Sequence, residues 1–209
     1  FYLANLNLAL GNYQKCIRYA DIFLKIPSAN PDFIQETYLI KRSAEFAKHA
    51  LKNPKPLEPI NLGPGVNTEL PEYYPALTVD GNTILFTRRI PMNSIYQQED
   101  FFISQRDDNG YWSRSSPMPK NINTLNNEGA PTLSSDGRNL VFVACADQTG
   151  SYYGENRSGF GSCDLFYAKK IGNTWYGPVN LPGYVNSGNW ESQPSLSADG
   201  KTLYFIKGI

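Results

Sequence analysis

Three glutamates recur at one place in a repeated sequence pattern, and carboxylates can serve as metal ligands or as general acids. They are Glu72, Glu128 and Glu191, and each stands three residues before a proline. A catalytic carboxylate normally occurs once in a domain, whereas a residue that recurs in every copy marks a position that the fold itself requires. We therefore expect the three glutamates to be structural and to lie at equivalent places, at the entrance to the first strand of each copy.

Other residues that could carry chemistry are few. His49 is the only histidine, and it lies in a helical pattern with no nucleophile motif beside it. The sequence contains no Gly-x-Ser-x-Gly elbow, no phosphate-binding loop and no His/Cys spacing typical of a metal site. Asp100 and Asp164 each open a predicted strand, where we expect them to act as hydrogen-bond partners. The sequence therefore predicts neither an enzyme nor a cofactor or metal site.

The charge balance argues against two further classes of protein. The 19 basic and 19 acidic residues cancel, and no basic stripe of the kind that binds nucleic acid occurs. No apolar run approaches the roughly 20 residues that cross a bilayer as a helix. The partners that we expect are therefore other proteins.

The three cysteines divide into a single residue and a pair. Cys16 stands at an apolar helical position and is expected to be a buried thiol. Cys145 ends one predicted strand and Cys163 begins the next, so the two face each other across a hairpin. A disulfide, with Cα atoms roughly 4.4 to 6.8 Å apart, and two reduced thiols both fit this placement. Disulfides persist in oxidising compartments such as the periplasm.

The loop from Ala146 to Ser162, between these two cysteines, is the most unusual segment of the repeats. It is rich in glycine yet carries three aromatic residues, Tyr152, Tyr153 and Phe160. Long loops are often functional, and exposed aromatic side chains favour contact with a partner. We expect the three aromatic residues to form a partner-binding element; packing of the loop on its own sheet is the alternative.

The elements that position these residues come from an internal repeat. Three times the chain has Pro-x-Leu-(Ser/Thr)-x-Asp-Gly before an apolar strand, beginning at Pro75, Pro131 and Pro194. Each Asp-Gly pair predicts a hairpin turn with positive φ at glycine, where the missing Cβ removes the steric penalty. The turn residues are Asp80, Asp136, Asp199, Gly81, Gly137 and Gly200. An asparagine stands eight residues before each of these prolines, at Asn67, Asn123 and Asn186.

Each repeat continues beyond this hairpin. Asp100–Ile103 and Cys163–Tyr167 are predicted third strands, and Trp112 and Trp175 mark predicted fourth strands. Four short strands per repeat, in repeats that begin 56 and 63 residues apart, are typical of propeller blades. Over residues 61–209 we expect two nearly complete blades and the beginning of a third, and hence an incomplete β-propeller that belongs to a longer polypeptide.

A helical segment over residues 1–53 precedes the repeats. Its apolar residues form stripes at helical spacing. They are Leu3, Leu6 and Leu10 in a first helix, Tyr13, Ile17, Ala20 and Leu24 in a second, and Leu39, Ala44, Ala47 and Leu51 in a third. Three prolines then predict a stiff linker over residues 54–60. The predicted fold class is thus a helical segment followed by an all-β segment.

Two of these patterns resemble known families. The helical segment, with Leu10-Gly11-Asn12-Tyr13, Ala20 and Asn30-Pro31, resembles a tetratricopeptide unit. The Asp-Gly repeats resemble the TolB-type variant of WD propeller repeats. Helices that lead through Asn61-Leu62-Gly63-Pro64 into such blades resemble the PorE-type proteins of Bacteroidetes.

The resemblance implies a non-enzymatic scaffold protein of the periplasm, associated with the outer membrane and with the type IX secretion and gliding apparatus. It implies that the helical repeat and the propeller bind protein partners. That family also carries an OmpA-like domain that grips peptidoglycan, so peptidoglycan would be bound only by a domain outside this chain. Two alternatives remain open: the propeller domain of a serine peptidase of the prolyl-oligopeptidase kind, and a TolB-like protein of another envelope complex.

Overall fold

The computed structural model describes residues 1–93, 95–150 and 152–208, which form two compact units. The first unit is Phe1–Pro59 and the second begins at Ile60. No helix among the described residues is long and apolar enough to span a membrane.

Three helices form the first unit. They are α1 (Tyr2–Ala9), α2 (Tyr13–Leu24) and α3 (Pro31–Lys52). The start of α3 follows from its sequence, because the Asn30 side chain accepts a hydrogen bond from the Asp32 N–H and proline stands at the first helical position. Between Lys52 and Glu72 the chain forms neither helix nor strand.

The helices pack through small residues. The buried apolar cluster consists of Ala4, Cys16, Ala20, Ile40 and Ala44. Small side chains let the helix axes approach closely, and full burial of Cys16 raises the pKa of its thiol.

The leucine stripes predicted for α1 and α3 are wrong. Leu3, Leu6 and Leu10 are each more than half exposed, and so are Leu39 and Leu51. In α1 the buried residues are Ala4 and Asn7, one position away from the predicted leucines. In α3 they are Thr37, Ile40 and Ala44, so the prediction is confirmed for Ala44 and wrong for Leu39 and Leu51. Hydrophobicity alone therefore indicates the wrong face, because the close packing of these helices favours small side chains.

Antiparallel strands form the second unit, and each repeat contributes one sheet in which consecutive strands pair. The first sheet contains β1 (Glu72–Leu77), β2 (Thr83–Pro91), β3 (Gln97–Gln105) and β4 (Ser116–Pro117). The second contains β5 (Glu128–Leu133), β6 (Asn139–Cys145), β7 (Cys163–Ile171) and β8 (Thr174–Asn180). The third sheet pairs β9 (Glu191–Leu196) with β10 (Leu203–Lys207).

The fourth strand of the first repeat differs from its prediction. Trp112 makes only an isolated bridge to Arg106, and the ladder with β3 forms later, at Ser116–Pro117. In the second repeat Trp175 does lie in the fourth strand, β8.

The sheets pack face to face, and their first strands lie side by side. The core between the first two sheets includes Leu85, Phe101 and Phe142, with the two phenyl rings edge to face at 5.4 Å. The Gln193 side-chain amide of β9 donates to the Tyr74 hydroxyl of β1 across 3.0 Å.

Two of the repeated asparagines, Asn123 and Asn186, join their repeat to the sheet before it. The Asn123 side chain accepts from the Phe101 N–H and donates to the Phe101 carbonyl, both at 3.0 Å. Asn186 makes the same pair of bonds to Leu165, both at 2.9 Å. These asparagines therefore fix where each new repeat begins against the third strand of the preceding one.

The three Asp-Gly turns share one conformation. Gly81, Gly137 and Gly200 have φ of +70°, +67° and +69°. In each turn the aspartate accepts from a Ser or Thr hydroxyl two residues earlier and from a backbone N–H two residues later. These bonds, the hydroxyl bond foremost, lower the pKa of Asp80, Asp136 and Asp199.

A second backbone feature recurs that the sequence pattern does not reveal. Tyr74, Ala130 and Gln193 have φ of +50°, +49° and +50°, and each stands directly before the motif proline. The strand register shifts at the same place in every first strand. Each first strand therefore contains a bulge in which a residue other than glycine is held in the left-handed region.

Replacing Gly137 by valine should destabilise the protein by about 1 to 3 kcal/mol, the range expected for an unfavourable backbone angle. The φ of +67° disfavours a side chain, and a Cβ would lie 2.7 Å from Thr78 Cγ2. The measurement is the free energy of unfolding from denaturant titration.

Gly200→Val is the matched control for this substitution. Gly200 has φ of +69°, but a Cβ there would meet no atom within 4 Å, so its replacement introduces backbone strain without a clash. We expect it to cost less than Gly137→Val. Unchanged stability of Gly137→Val would contradict the assigned turn.

Candidate functional site

The three repeated glutamates occupy equivalent places, as parts of one hydrogen-bond motif. Each carboxylate accepts from both the backbone N–H and the hydroxyl of the Ser or Thr four residues earlier. The hydroxyl bonds measure 2.5 Å from Thr68 to Glu72, 2.6 Å from Thr124 to Glu128 and 2.5 Å from Ser187 to Glu191. Glu128 and Glu191 are fully buried, so these carboxylates are engaged within the fold.

Each of these glutamates also meets a cation. Arg88 pairs with Glu72 at 2.9 Å, and Lys207 lies 3.5 Å from Glu191. Both cations stand directly opposite their glutamate on the neighbouring strand. The pairing in these two repeats therefore follows from strand register.

The second repeat obtains its cation from elsewhere. Opposite Glu128 stands Ala144, which carries no charge. Arg157, from the long loop, reaches Glu128 instead, with Nη1 2.7 Å from Oε1. The sequence pattern does not reveal this role, although Arg157 is the only basic residue between Ala146 and Ser162.

The guanidinium groups of Arg88 and Arg157 occupy corresponding positions. Arg88 donates to the Val66 carbonyl at 2.9 Å, and Arg157 donates to the corresponding carbonyl, that of Ile122, at 2.6 Å. Each group also lies over two phenylalanine rings: those of Phe86 and Phe102 for Arg88, and those of Phe142 and Phe166 for Arg157. The loop thus places a guanidinium group in the core at the position where β6, with Ala144, provides none.

Burial dominates the electrostatics of the Glu128–Arg157 pair. The two side chains are 0% and 1% exposed. Burial raises the pKa of Glu128 to about 7, against the lowering effect of its bonds to Thr124 and Arg157. Burial also lowers the pKa of Arg157. Arg157 Nε has no hydrogen-bond partner among the described residues. The guanidinium is therefore held by the bonds that its two terminal nitrogens, Nη1 and Nη2, donate.

Of the three aromatic residues in the loop, Tyr153 is buried and the other two are exposed. The expectation that Tyr153 is available to bind a partner is therefore wrong. Its ring is buried against Phe166, with ring centroids 5.7 Å apart, and its hydroxyl donates to the Gly161 carbonyl. Gly159 permits this packing, since a Cβ there would lie 2.1 Å from the Tyr153 ring. Burial raises the pKa of Tyr153 to about 12.

Only Tyr152 and Phe160 remain at the surface, 47% and 58% exposed. The loop therefore packs on its own sheet through Tyr153 and Arg157, while two of the three predicted aromatic residues stay accessible. Its Ser151 lies outside the described residues.

The two ends of the loop are joined covalently. Cys145 and Cys163 stand opposite each other in the β6–β7 ladder and form a disulfide. Their Cα atoms are 3.9 Å apart, closer than the range expected from the sequence. The bridge thus closes the segment that carries Arg157 and Tyr153.

The remaining candidates have no shared chemistry. His49 lies exposed on α3. Among residues 1–93, 95–150 and 152–208, no group of three or more His, Cys, Asp or Glu side chains could hold a metal ion. Asp164 accepts from the Phe160 and Gly161 amides and from the Asn180 side chain, as expected of a residue at a strand start.

No protein-family model matches the sequence, and no curated protein is significantly similar to it.

Arg157→Gln should destabilise the protein more at about pH 8 than at about pH 5, with a cost of about 3 to 5 kcal/mol at the higher pH. Without the guanidinium, the folded-state pKa of Glu128 rises further above its ordinary 4.5. Stability then falls as pH rises between the unfolded and folded pKa values, because the folded state retains a proton that the unfolded state releases. The measurement is the free energy of unfolding at both pH values.

Two variants control for other causes of this pH dependence. Arg114→Gln removes an exposed arginine and should have little effect at either pH. Glu128→Gln combined with Arg157→Gln removes the titrating carboxyl, so its cost should be similar at both. A loss in Arg157→Gln that is independent of pH would instead attribute the role of Arg157 to packing on the phenylalanine rings.

Replacing Cys145 and Cys163 by serine should cost about 3 kcal/mol, as expected for a loop of this length. The cost should be smaller in an Arg157→Gln background, because the loop then has no guanidinium to hold against Glu128. A double-mutant cycle on the free energy of unfolding measures this coupling. Equal costs in the two backgrounds would mean that the bridge does not position Arg157.

Proposed function

We propose that the second unit is part of a β-propeller and that the protein is a non-enzymatic scaffold that binds other proteins. The observation that carries this proposal is the repeated glutamate motif. Its carboxylates are engaged by Ser or Thr donors and by a cation in all three repeats. Residues that could otherwise act as acids or ligands thus support the fold in each copy.

The arrangement of the sheets supports the propeller assignment. Two antiparallel four-stranded sheets have consecutive strand order, and their first strands lie side by side with that of the third sheet. Equivalent asparagines, Asn123 and Asn186, join successive repeats. A propeller has blades of four antiparallel strands around a centre, and this geometry fits that plan.

We propose that partners bind at two surfaces. One is formed by Tyr152 and Phe160, the exposed aromatic residues of a loop that Tyr153 and Arg157 anchor to the core. Such anchoring reduces the ordering cost of binding. The other is the tetratricopeptide-like helical unit, which exposes Leu3, Leu6 and Leu10.

We further propose a periplasmic location, in an outer-membrane-associated assembly of the type IX secretion or gliding apparatus. The Cys145–Cys163 disulfide supports an oxidising compartment. The proposed class of complex rests on the similarity of the helical and Asp-Gly patterns to PorE-type proteins. Any attachment to peptidoglycan would belong to a domain outside this chain.

Replacing Tyr152 and Phe160 together by alanine should reduce recovery of partner proteins by about ten-fold or more if both are anchor residues. The fold should be retained, because both side chains are exposed. The measurement is quantitative mass spectrometry of the proteins that co-purify with this protein from the cell envelope of its own organism.

Tyr176→Ala is the matched control, since Tyr176 is an exposed tyrosine elsewhere in the same repeat. A photoreactive residue at position 152 would identify direct partners. Full recovery of partners by the double variant, without cross-links from position 152, would exclude the loop as a binding surface. Tyr153→Ala is unsuitable for this test, because loss of its buried ring should cost about 3 to 5 kcal/mol of stability.

A further inference from the structure

Asp100 in β3 and Asp164 in β7 occupy equivalent positions in the strand register, but only Asp164 accepts hydrogen bonds at both carboxylate oxygens. Asp164 Oδ2 accepts from the Phe160 N–H and from the Asn180 side chain, both at 2.7 Å, while Oδ1 accepts from the Gly161 N–H at 3.2 Å. Asp100 accepts only from the Gln98 side chain among the described residues, at 2.8 Å to Oδ1. Asp100 Oδ2 is therefore an acceptor without a donor from the described chain.

The donors to Asp164 have no counterparts in the first repeat for two separate reasons. Pro117 stands opposite Phe102 as Asn180 stands opposite Phe166, and proline has no side-chain donor. The connection from β2 to β3 is also much shorter than the loop from Ala146 to Ser162. No described backbone amide from that connection reaches Asp100 as those of Phe160 and Gly161 reach Asp164.

An open cleft of about 520 Å³ lies beside this free acceptor. Its lining includes Asp100, the charged residues Lys120 and Glu155, and the apolar or aromatic residues Met118, Leu125 and Tyr152. Leu125 and Tyr152 are exposed. Burial raises the pKa of Asp100, and Gln98 opposes this rise, as expected for a carboxylate that has lost water without gaining a cation. The cleft thus offers a partly desolvated acceptor next to apolar surface.

We propose that this cleft binds an extended peptide segment of a partner protein, whose consecutive backbone N–H groups donate to Asp100. An aromatic side chain of that peptide contacts Met118, Leu125 and Tyr152. The segment Gly159-Phe160-Gly161, which donates to Asp164 in the second repeat, is the internal example of such a ligand. This inference rests on the proposed protein-binding function and specifies one chemistry by which a partner is recognised.

The test uses the whole 209-residue chain and a blocked peptide with the sequence Ser158-Gly159-Phe160-Gly161-Ser162 as the probe. NMR titration should give saturable shifts at Asp100, Asn123 and Thr124. Methylating the two amide nitrogens that correspond to Phe160 and Gly161 should weaken binding by roughly ten-fold or more, because charge-assisted hydrogen bonds are lost. Asp100→Ala should weaken binding to a similar extent.

Two further variants separate binding from folding. Pro117→Asn provides the donor that Asn180 provides in the second repeat, so it should compete with the peptide and weaken binding without removing Asp100. Asp108→Asn, at an exposed aspartate of the same repeat, should leave binding unchanged. If Asp100→Ala fails to fold, Pro117→Asn and the methylated peptide decide the result.

Absence of saturable shifts, or binding that resists both amide methylation and Pro117→Asn, would overturn the inference. If partners still co-purify through Tyr152 and Phe160 in that case, the proposed scaffold function stands and only the peptide cleft is excluded. Loss of partner recovery in Tyr152→Ala/Phe160→Ala, together with peptide binding by the unaltered chain that depends on Asp100, would support both proposals.

Discussion

A buried carboxylate must be surrounded by donors, and this requirement organises the second unit. An isolated charge in the interior costs far more than its packing returns. Each repeat meets the requirement with a Ser or Thr four residues earlier and with a cation. The donors hold the entrance of the first strand, and the cation joins that entrance to a neighbouring strand or loop. A local hydrogen-bond motif thus sets the start of every sheet.

The second repeat shows how the fold compensates when a strand lacks its cation. Ala144 stands where Arg88 stands in the first repeat, and the loop inserts Arg157 into the corresponding space. The loop consequently buries Tyr153 and donates two amides to Asp164. The same contacts restrict its free aromatic surface to Tyr152 and Phe160. The structural role of the loop and its binding surface are therefore parts of one arrangement.

Local patterns were predictable from the sequence because their physics is local. The Asp-Gly turns depend on residues two positions apart, and the strands after them depend on short apolar runs. The leucines of α1 and α3 were mispredicted, since Leu3 and Leu39 are hydrophobic but the neighbouring Ala4 and Ile40 are buried. Trp112 likewise fits a strand pattern, yet only the later Ser116–Pro117 meets β3 in a ladder. In these cases packing against a second element decided the outcome.

The sequence by itself determined the repeat, the positive φ of its turn glycines and the common position of Glu72, Glu128 and Glu191. These features depend on residue types at fixed short spacing. Only the tertiary structure decided that Arg157 serves Glu128 from 29 positions away and that Tyr153 faces inward. It also decided that both carboxylate oxygens of Asp164 accept hydrogen bonds from the chain, whereas only one oxygen of Asp100 does. Such pairings depend on how a long loop folds back over its sheet, because burial and hydrogen bonding are set by neighbours in space.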